Sequence, residues 1–122
     1  MTAATGPEPL SAEVRSVASG AVMDLRGDID TGAEAVLSDA YERAERTGAT
    51  VIVLNFADVG YINSTGIALI VGLLARSRAA GRRLSVIGLS EHYREIFTIT
   101  RLSDFMSLYA DEASALAPAS GR

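Results

Sequence analysis

The chain has no cysteine, no lysine and a single histidine, His92, in 122 residues. Without cysteine there is no disulfide framework, no thiolate nucleophile and no thiolate metal site, and one histidine cannot by itself build a zinc site. No metal and no cofactor is therefore expected. A long hydrophobic run is also missing. The longest apolar stretch, Ile67 to Ala75, is about half of the ~20 residues a spanning helix needs, so membrane insertion is not expected. Met1 to Glu13 lacks a basic region followed by an apolar one, which does not read as a signal peptide. The expected location is cytoplasmic.

Lysine is absent, so all 11 basic residues are arginine, and 15 acidic residues leave a net charge of -4. Phosphate-backbone binding works by releasing counterions from clustered basic residues. Here the arginines are scattered, with only Arg82 and Arg83 adjacent, at a point where a helix should end and cations are favoured. Direct contact with nucleic acid is not expected.

What is present is an ordinary globular balance. Hydrophobic residues make up 48% and charged residues 21%, far from the signature of disorder, and the length suits one core. Residues 1–12 and 113–122, rich in small residues, Gly and Pro, read as tails around one domain at 13–112. Val14 to Ala18 and Ala21 to Arg26 read as strands joined at Ser19-Gly20, a hairpin turn signal. Thr31 and Glu34 have capping-box spacing before a helix whose Ala33, Val36, Leu37, Ala40, Tyr41 and Ala44 share a stripe, and Gly48 ends it. Val51 to Leu54 reads as a central strand, Asn55 to Asn63 as a loop, and Thr65 to Ala80 as an apolar helix stopped by Gly81. Leu84 to Ile87 is a further strand. Ser90 caps a third helix with Tyr93, Ile96, Phe97 and Thr100 on one face, and Phe105 to Tyr109 is the last strand. The alternation predicts an α/β domain: a mixed, mostly parallel sheet with crossover helices packed mainly on one side.

Signs of catalysis are few. Neither phosphate-loop nor dinucleotide-loop spacing occurs, since Gly66 and Gly72 lie inside a helical stretch. Asp28 and Asp30 read as loop and capping residues, not as an acid and base pair, and His92 as a solvent-facing residue. Asn63, Ser64 and Thr65 crowd the start of the second helix, three capping-type residues where one suffices. A hydroxyl there is a place where an added phosphate is tolerated, because free N–H groups and the helix dipole favour negative charge. Along that helix Ile67, Ile70, Val71 and Leu74 form the stripe expected on the sheet. Thr65, Leu69, Gly72 and Arg76 form the opposite one, which reads as a protein contact surface beside Ser64.

These elements, with Gly27-Asp28-Ile29-Asp30 after the second strand, Asn63-Ser64-Thr65-Gly66 at the second helix and Ile96-Phe97-Thr98-Ile99-Thr100 in the third, resemble the STAS domain of anti-sigma factor antagonists. The resemblance implies partner switching. The unphosphorylated form binds an anti-sigma factor serine/threonine kinase and so releases a sigma factor, phosphorylation ends the binding, and a serine phosphatase restores it. It places the phosphate on Ser64, with Thr65 as the neighbouring hydroxyl, and a docking surface at Asp28, Asp30, Asn63, Thr65, Gly66, Leu69, Gly72 and Arg76. Two residues depart from the family pattern: Asn63 stands where Asp is usual, and Arg101 where a Gly is common. Two other readings are a STAS subunit regulating a membrane transporter without phosphorylation, and a small-molecule or nucleotide sensor, for which no recognisable loop is present.

Overall fold

The computed structural model describes residues 8–17 and 19–117. Five strands lie in the order β1-β2-β3-β4-β5: β1 (Ser11–Val17), β2 (Gly20–Ile29), β3 (Val51–Ile62), β4 (Arg83–Ile87) and β5 (Ser107–Tyr109). β1 runs antiparallel to β2, and every other neighbouring pair is parallel. The helices are α1 (Glu34–Arg46), α2 (Ser64–Ala79), α3 (Glu91–Ile99) and α4 (Glu112–Leu116). The expected α/β class, mixed sheet and crossover helices are what the fold contains.

Side chains alternate between the faces of a sheet, and the two faces here are unequal. Ala21, Met23, Leu25, Ile52, Leu54, Phe56, Leu84 and Val86 form one core with Leu37, Tyr41, Ile70, Leu74, Tyr93 and Phe97 of α1, α2 and α3. The reverse face carries a smaller cluster of Val22, Val53, Ile87 and Ala115, the last from α4. Beside it lies a polar line. Arg15 donates to Asp24 at 2.5 Å and to Glu112 at 2.7 Å, and Asn55 donates to Asp24 at 2.8 Å. The bonds from Arg15 and, more weakly, Asn55 hold the Asp24 carboxyl below the usual carboxylate range, against partial burial, which pushes it up.

Several boundaries differ from the sequence reading, each for a local reason. Residues 8–12 and 113–117 are part of the packed domain: Leu10 and Ala115 are buried, and Glu8 exchanges two 2.9 Å hydrogen bonds with Asp28. Val17 pairs with Gly20, which makes Gly20 a strand residue; Ala18 lies outside the described residues. No capping box forms at Thr31 and Glu34. Asp30 accepts from the Gly32 N–H at 3.0 Å and caps a 3-10 turn at Thr31–Ala33 that precedes α1. Thr100 is exposed, its hydroxyl bonded back to the Ile96 carbonyl at 2.7 Å. Phe105 follows a 3-10 turn at Leu102–Asp104 and is exposed, so β5 is only three residues long. Arg101 has φ 68, in the left-handed region that favours glycine, at the position where the family resemblance expects one.

The largest difference is β3, which continues through the segment expected to be a loop. Beyond Asn55 it has lost β4 and pairs with β2 alone, through Arg26↔Asp58, Gly27↔Val59, Asp28↔Tyr61 and Ile29↔Ile62. Register shifts between Asp24 and Arg26 and between Gly27 and Asp28 absorb the extra residues, as bulges do. The result is a ribbon of outer β2 and β3, flanked on the β2 side by Ser11, which pairs with Arg26, and by Glu8, which bonds Asp28. Its end delivers the chain to Asn63.

Candidate functional site

The ribbon brings together at one end of the sheet most of the residues singled out from the sequence. Asn63 has extended backbone and caps α2, its side-chain oxygen accepting from the Gly66 N–H at 2.8 Å. Its own N–H donates to the Ile29 carbonyl at 3.2 Å, which stitches the start of α2 to the end of β2. Asn and Asp serve equally well as N-caps. Asn63 therefore supplies the cap without a charge.

Ser64 and Thr65 are the first two residues of α2, and both are exposed. Gly66 N–H is taken by the Asn63 side chain and Ile67 N–H by the Asn63 carbonyl at 2.9 Å. That leaves the N–H groups of Ser64 and Thr65 without a carbonyl one turn back. An anion on the Ser64 oxygen would lie against these donors and the positive end of the helix dipole.

Gly66 has a different job from the docking role expected of it. It is buried, and a Cβ there would overlap the Ile29 carbonyl oxygen and lie 2.8 Å from the Ile29 carbonyl carbon. Only glycine lets the helix approach the strand backbone this closely. The face of α2 that meets the core is accordingly Gly66, Ile70, Leu73, Leu74 and Ser77. Val71, expected on the sheet, is 40% exposed, and Ile67 is half-buried. The helix is turned from the expected orientation because its close backbone contact at Gly66 sets the inward direction.

This rotation also changes the opposite stripe. Leu69 is half-buried against the main core and, with Gly72, lines a groove of about 330 Å³ whose other wall is Glu34, Leu37 and Ser38 of α1. Arg76 closes the far end, donating to Glu45 at 3.0 Å and to Ser38 at 3.3 Å, with its guanidinium carbon 4.8 Å from the Tyr41 ring centroid. Arg76 is thus a clamp between α1 and α2, not a free surface arginine. Asp28 and Asp30 are at the site end, and each accepts a backbone N–H, from Glu8 and Gly32 respectively. Among the described residues no group of three or more His, Cys, Asp or Glu side chains could hold a metal ion, and no helix is long and apolar enough to cross a membrane.

Two residues at the site were given no site role from the sequence. Tyr61, opposite Asp28 on the ribbon, is 55% exposed and is the aromatic surface nearest to Ser64 along the chain. Tyr93 of α3 is buried, and its hydroxyl accepts from the Ile62 N–H at 2.9 Å, fixing the last residue of β3. An exposed aromatic beside three capping residues was a readable signal. The Tyr93 contact spans 31 positions and left no local trace.

Known proteins of the same shape and sequence pattern exist. The model of the STAS domain family matches residues 11–115. An anti-sigma-B factor antagonist of Staphylococcus epidermidis is 31% identical over 80 residues, 66% of this chain and 74% of that protein. Among solved structures, an anti-sigma factor antagonist from Mycobacterium paratuberculosis superposes with a TM-score of 0.77 at 18% identity, covering 93% of this chain and 96% of the other. The Bacillus cell fate determinant SpoIIAA in its phosphorylated form gives a TM-score of 0.65 at 23% identity, over 85% of this chain and 96% of the other. At these identities the two structures speak for the fold alone.

Proposed function

Since the chain belongs to the STAS domain family, with anti-sigma factor antagonists among its relatives, we propose that it acts as such an antagonist by partner switching on Ser64. In its unphosphorylated form it binds an anti-sigma factor that is also a serine/threonine kinase, and the sigma factor is released. The protein supplies a hydroxyl and a surface, and the kinase supplies the catalysis. The Ser64 oxygen forms a bond to the γ-phosphorus of ATP, the bond from that phosphorus to the ADP oxygen breaks, and the hydroxyl proton passes to a base of the kinase. A serine phosphatase reverses the modification by hydrolysis.

The observation that carries this reading is the exposed Ser64 hydroxyl at the first position of α2, just past the end of β3. Phosphate adds about −1.5 to −2 charges there. The unpaired N–H groups of Ser64 and Thr65 accommodate that charge without disturbing the core, while a surface complementary to the neutral serine loses its fit. A loss of ~4 kcal/mol in binding is about a thousandfold in affinity, enough for a switch. Asn63 favours the modified state further, since an Asp at that cap would repel the phosphate. SpoIIAA, a structure of the same fold, has been solved in a phosphorylated form, in keeping with this reading.

The docking surface in this proposal comprises Asp28, Asp30, Tyr61, Thr65 and the α1–α2 groove with Leu69 and Gly72. The test is incubation with the kinase encoded beside the gene, with magnesium and ATP, followed by mass mapping. One phosphate on Ser64, absent from Ser64→Ala, is expected. Transfer to Thr65 instead would move the site by one residue, and no transfer by any neighbouring kinase would sink the switching model.

A further inference from the structure

β1 is the long free edge of the sheet. Its register with β2 runs without a shift from Ser11↔Arg26 to Val17↔Gly20, whereas the other edge strand, β5, has only three residues. Antiparallel pairs alternate between those whose backbone groups bond the neighbouring strand and those whose groups point away from it. Only two residues separate Val17 from its partner Gly20, and the pair that closes so short a hairpin is a bonded one. Counting back from it, Arg15, Glu13 and Ser11 turn their N–H and C=O groups to β2, and Ser16, Val14 and Ala12 turn theirs outward. A contact from α1 agrees with this phase: Arg43 Nη2 reaches the Ala12 carbonyl at 3.5 Å, the outer limit of a hydrogen bond. Among the described residues it is the one side-chain bond to these outward groups.

Natural sheets blunt a free edge with proline, a bulge, a very short strand or repelling charge. β1 contains no proline and no bulge, and its two charges are of opposite sign, Glu13 and Arg15 standing one residue to either side of Val14. In the single chain Glu13 is poorly matched. It forms no ion pair among the described residues, and its partner on β2 is Asp24, a like charge directly opposite. Like charges in that relation destabilise a strand pair. An antiparallel strand outside β1 with an arginine opposite Glu13 reverses the mismatch, and β1 itself is such a strand. Turned about a two-fold axis at Val14, it sets Arg15 of one copy opposite Glu13 of the other, and the reverse. The same axis sets Val14 against Val14 and Ala12 against Ser16, so every outward N–H meets an outward C=O.

We propose that β1 pairs antiparallel with β1 of a second copy of this chain about Val14, joining two five-stranded sheets into one continuous sheet. The charges select this register. Moving the axis by one residue sets Glu13 against Glu13 or Arg15 against Arg15, so both neighbouring arrangements place like charges on the axis. Glu13 and Arg15 fall at non-bonded positions of the new pair, where opposed side chains come closest. Arg15 there adds a third carboxylate to the two it already holds, Asp24 and Glu112. On the α1 side, half-buried Ala12 and Val14 lose more of their contact with water. Ala12 to Ser16 lie outside the docking surface proposed for the kinase, so the pairing is independent of the switch.

The test is sedimentation velocity of the full chain from about 10 µM to about 1 mM, with amide exchange measured at both ends of that range. A monomer–dimer equilibrium with a Kd of about 100 µM or tighter is expected. Exchange at Ala12, Val14 and Ser16 should slow about fourfold or more at the high concentration, while Glu13 and Arg15, already bonded to β2, change little. Glu13→Arg sets arginine opposite arginine across the axis and should weaken the dimer about tenfold or more. It also removes the like charge facing Asp24, so the variant should melt no lower than the parent. Val14→Pro deletes an N–H that bonds nothing in the single chain, a place where an edge strand tolerates proline, and should weaken the dimer as much. The proposal is overturned by any of three results: a monomer up to about 1 mM, exchange at Val14 independent of concentration, or a dimer of unchanged Kd in Glu13→Arg.

Discussion

The Tyr93 hydroxyl, buried on α3, accepts the N–H of Ile62 at 2.9 Å, two residues before Ser64. It is the one side-chain hydrogen bond from α3 to the ribbon among the described residues, and it supports the ribbon where β4 no longer does. Tyr93→Phe leaves the Ile62 N–H buried without a partner. A cost of about 1–3 kcal/mol is expected in urea unfolding, together with faster amide exchange at Ile62. Unchanged protection at Ile62 would show that the hydroxyl does not anchor the ribbon.

The Asn63 cap separates two effects that its side chain combines. Asn63→Ala removes the acceptor for Gly66 N–H and should cost about 1 kcal/mol. Asn63→Asp keeps the acceptor and should leave the stability of the unmodified protein within about 0.5 kcal/mol. In the phosphorylated protein the same Asp would face the phosphate, so phosphorylation should destabilise Asn63→Asp more than the parent. Parallel melting curves of the two proteins in both states would check this.

The orientation of α2 makes a graded prediction along one helix. Ile70 is fully buried, Leu69 half-buried in the groove and Val71 40% exposed. Ile70→Arg should prevent folding, because it places a charge in the core without a partner. Val71→Arg should change stability by about 0.5 kcal/mol or less. Leu69→Arg should fold with a reduced melting temperature and lose kinase binding. Gly66→Ala should cost about 3 kcal/mol or more, since the added methyl meets a carbonyl that cannot move aside. Far-ultraviolet circular dichroism melts of the four variants test this order directly.

The Arg15–Asp24 pair sets a pH dependence. Asp24 has its carboxyl lowered in the folded state, chiefly by the bond from Arg15, so the unfolded chain binds a proton there first as pH falls back from the folded state's range. The pair's contribution is complete above the unfolded carboxylate value of about 4 and is lost as pH drops through the lower folded value. Asp24→Asn should make the unfolding free energy less sensitive to pH below about 4. Since both side chains are partly exposed, the difference should shrink in high salt.

What the sequence disclosed followed from where burial leaves a period. The run Val51 to Leu54 announced a central strand because β3 there has strands on both sides and layers on both faces. Ser90 was legible as a cap because capping is local chemistry, and it does accept from the Tyr93 N–H, at 3.2 Å. The outer half of β3 was not legible. Ala57, Asp58 and Gly60 are exposed on a ribbon with one neighbouring strand, so nothing imposes the alternation that marks a strand. The orientation of α2 was hidden for the opposite reason, since apolar residues at 67, 69, 70, 71, 73 and 74 surround most of the helix and no single face stands out. At the site, the clustering of Asp28, Asp30 and Asn63 to Gly66 was foreseen, while Gly66 and Arg76 were given to a partner when the fold itself uses them.

The close approach at Gly66 bears on how a motif of this kind can be read in other proteins. Asn63-Ser64-Thr65-Gly66 serves two masters: in the proposed switch the hydroxyl answers to a modifying enzyme, and the glycine answers only to the carbonyl of Ile29. A descendant that abandoned the serine would still be obliged to keep the glycine in order to fold. As a diagnostic, then, the glycine certifies the architecture and is mute about regulation. Only the residue two places before it bears on the proposed switch.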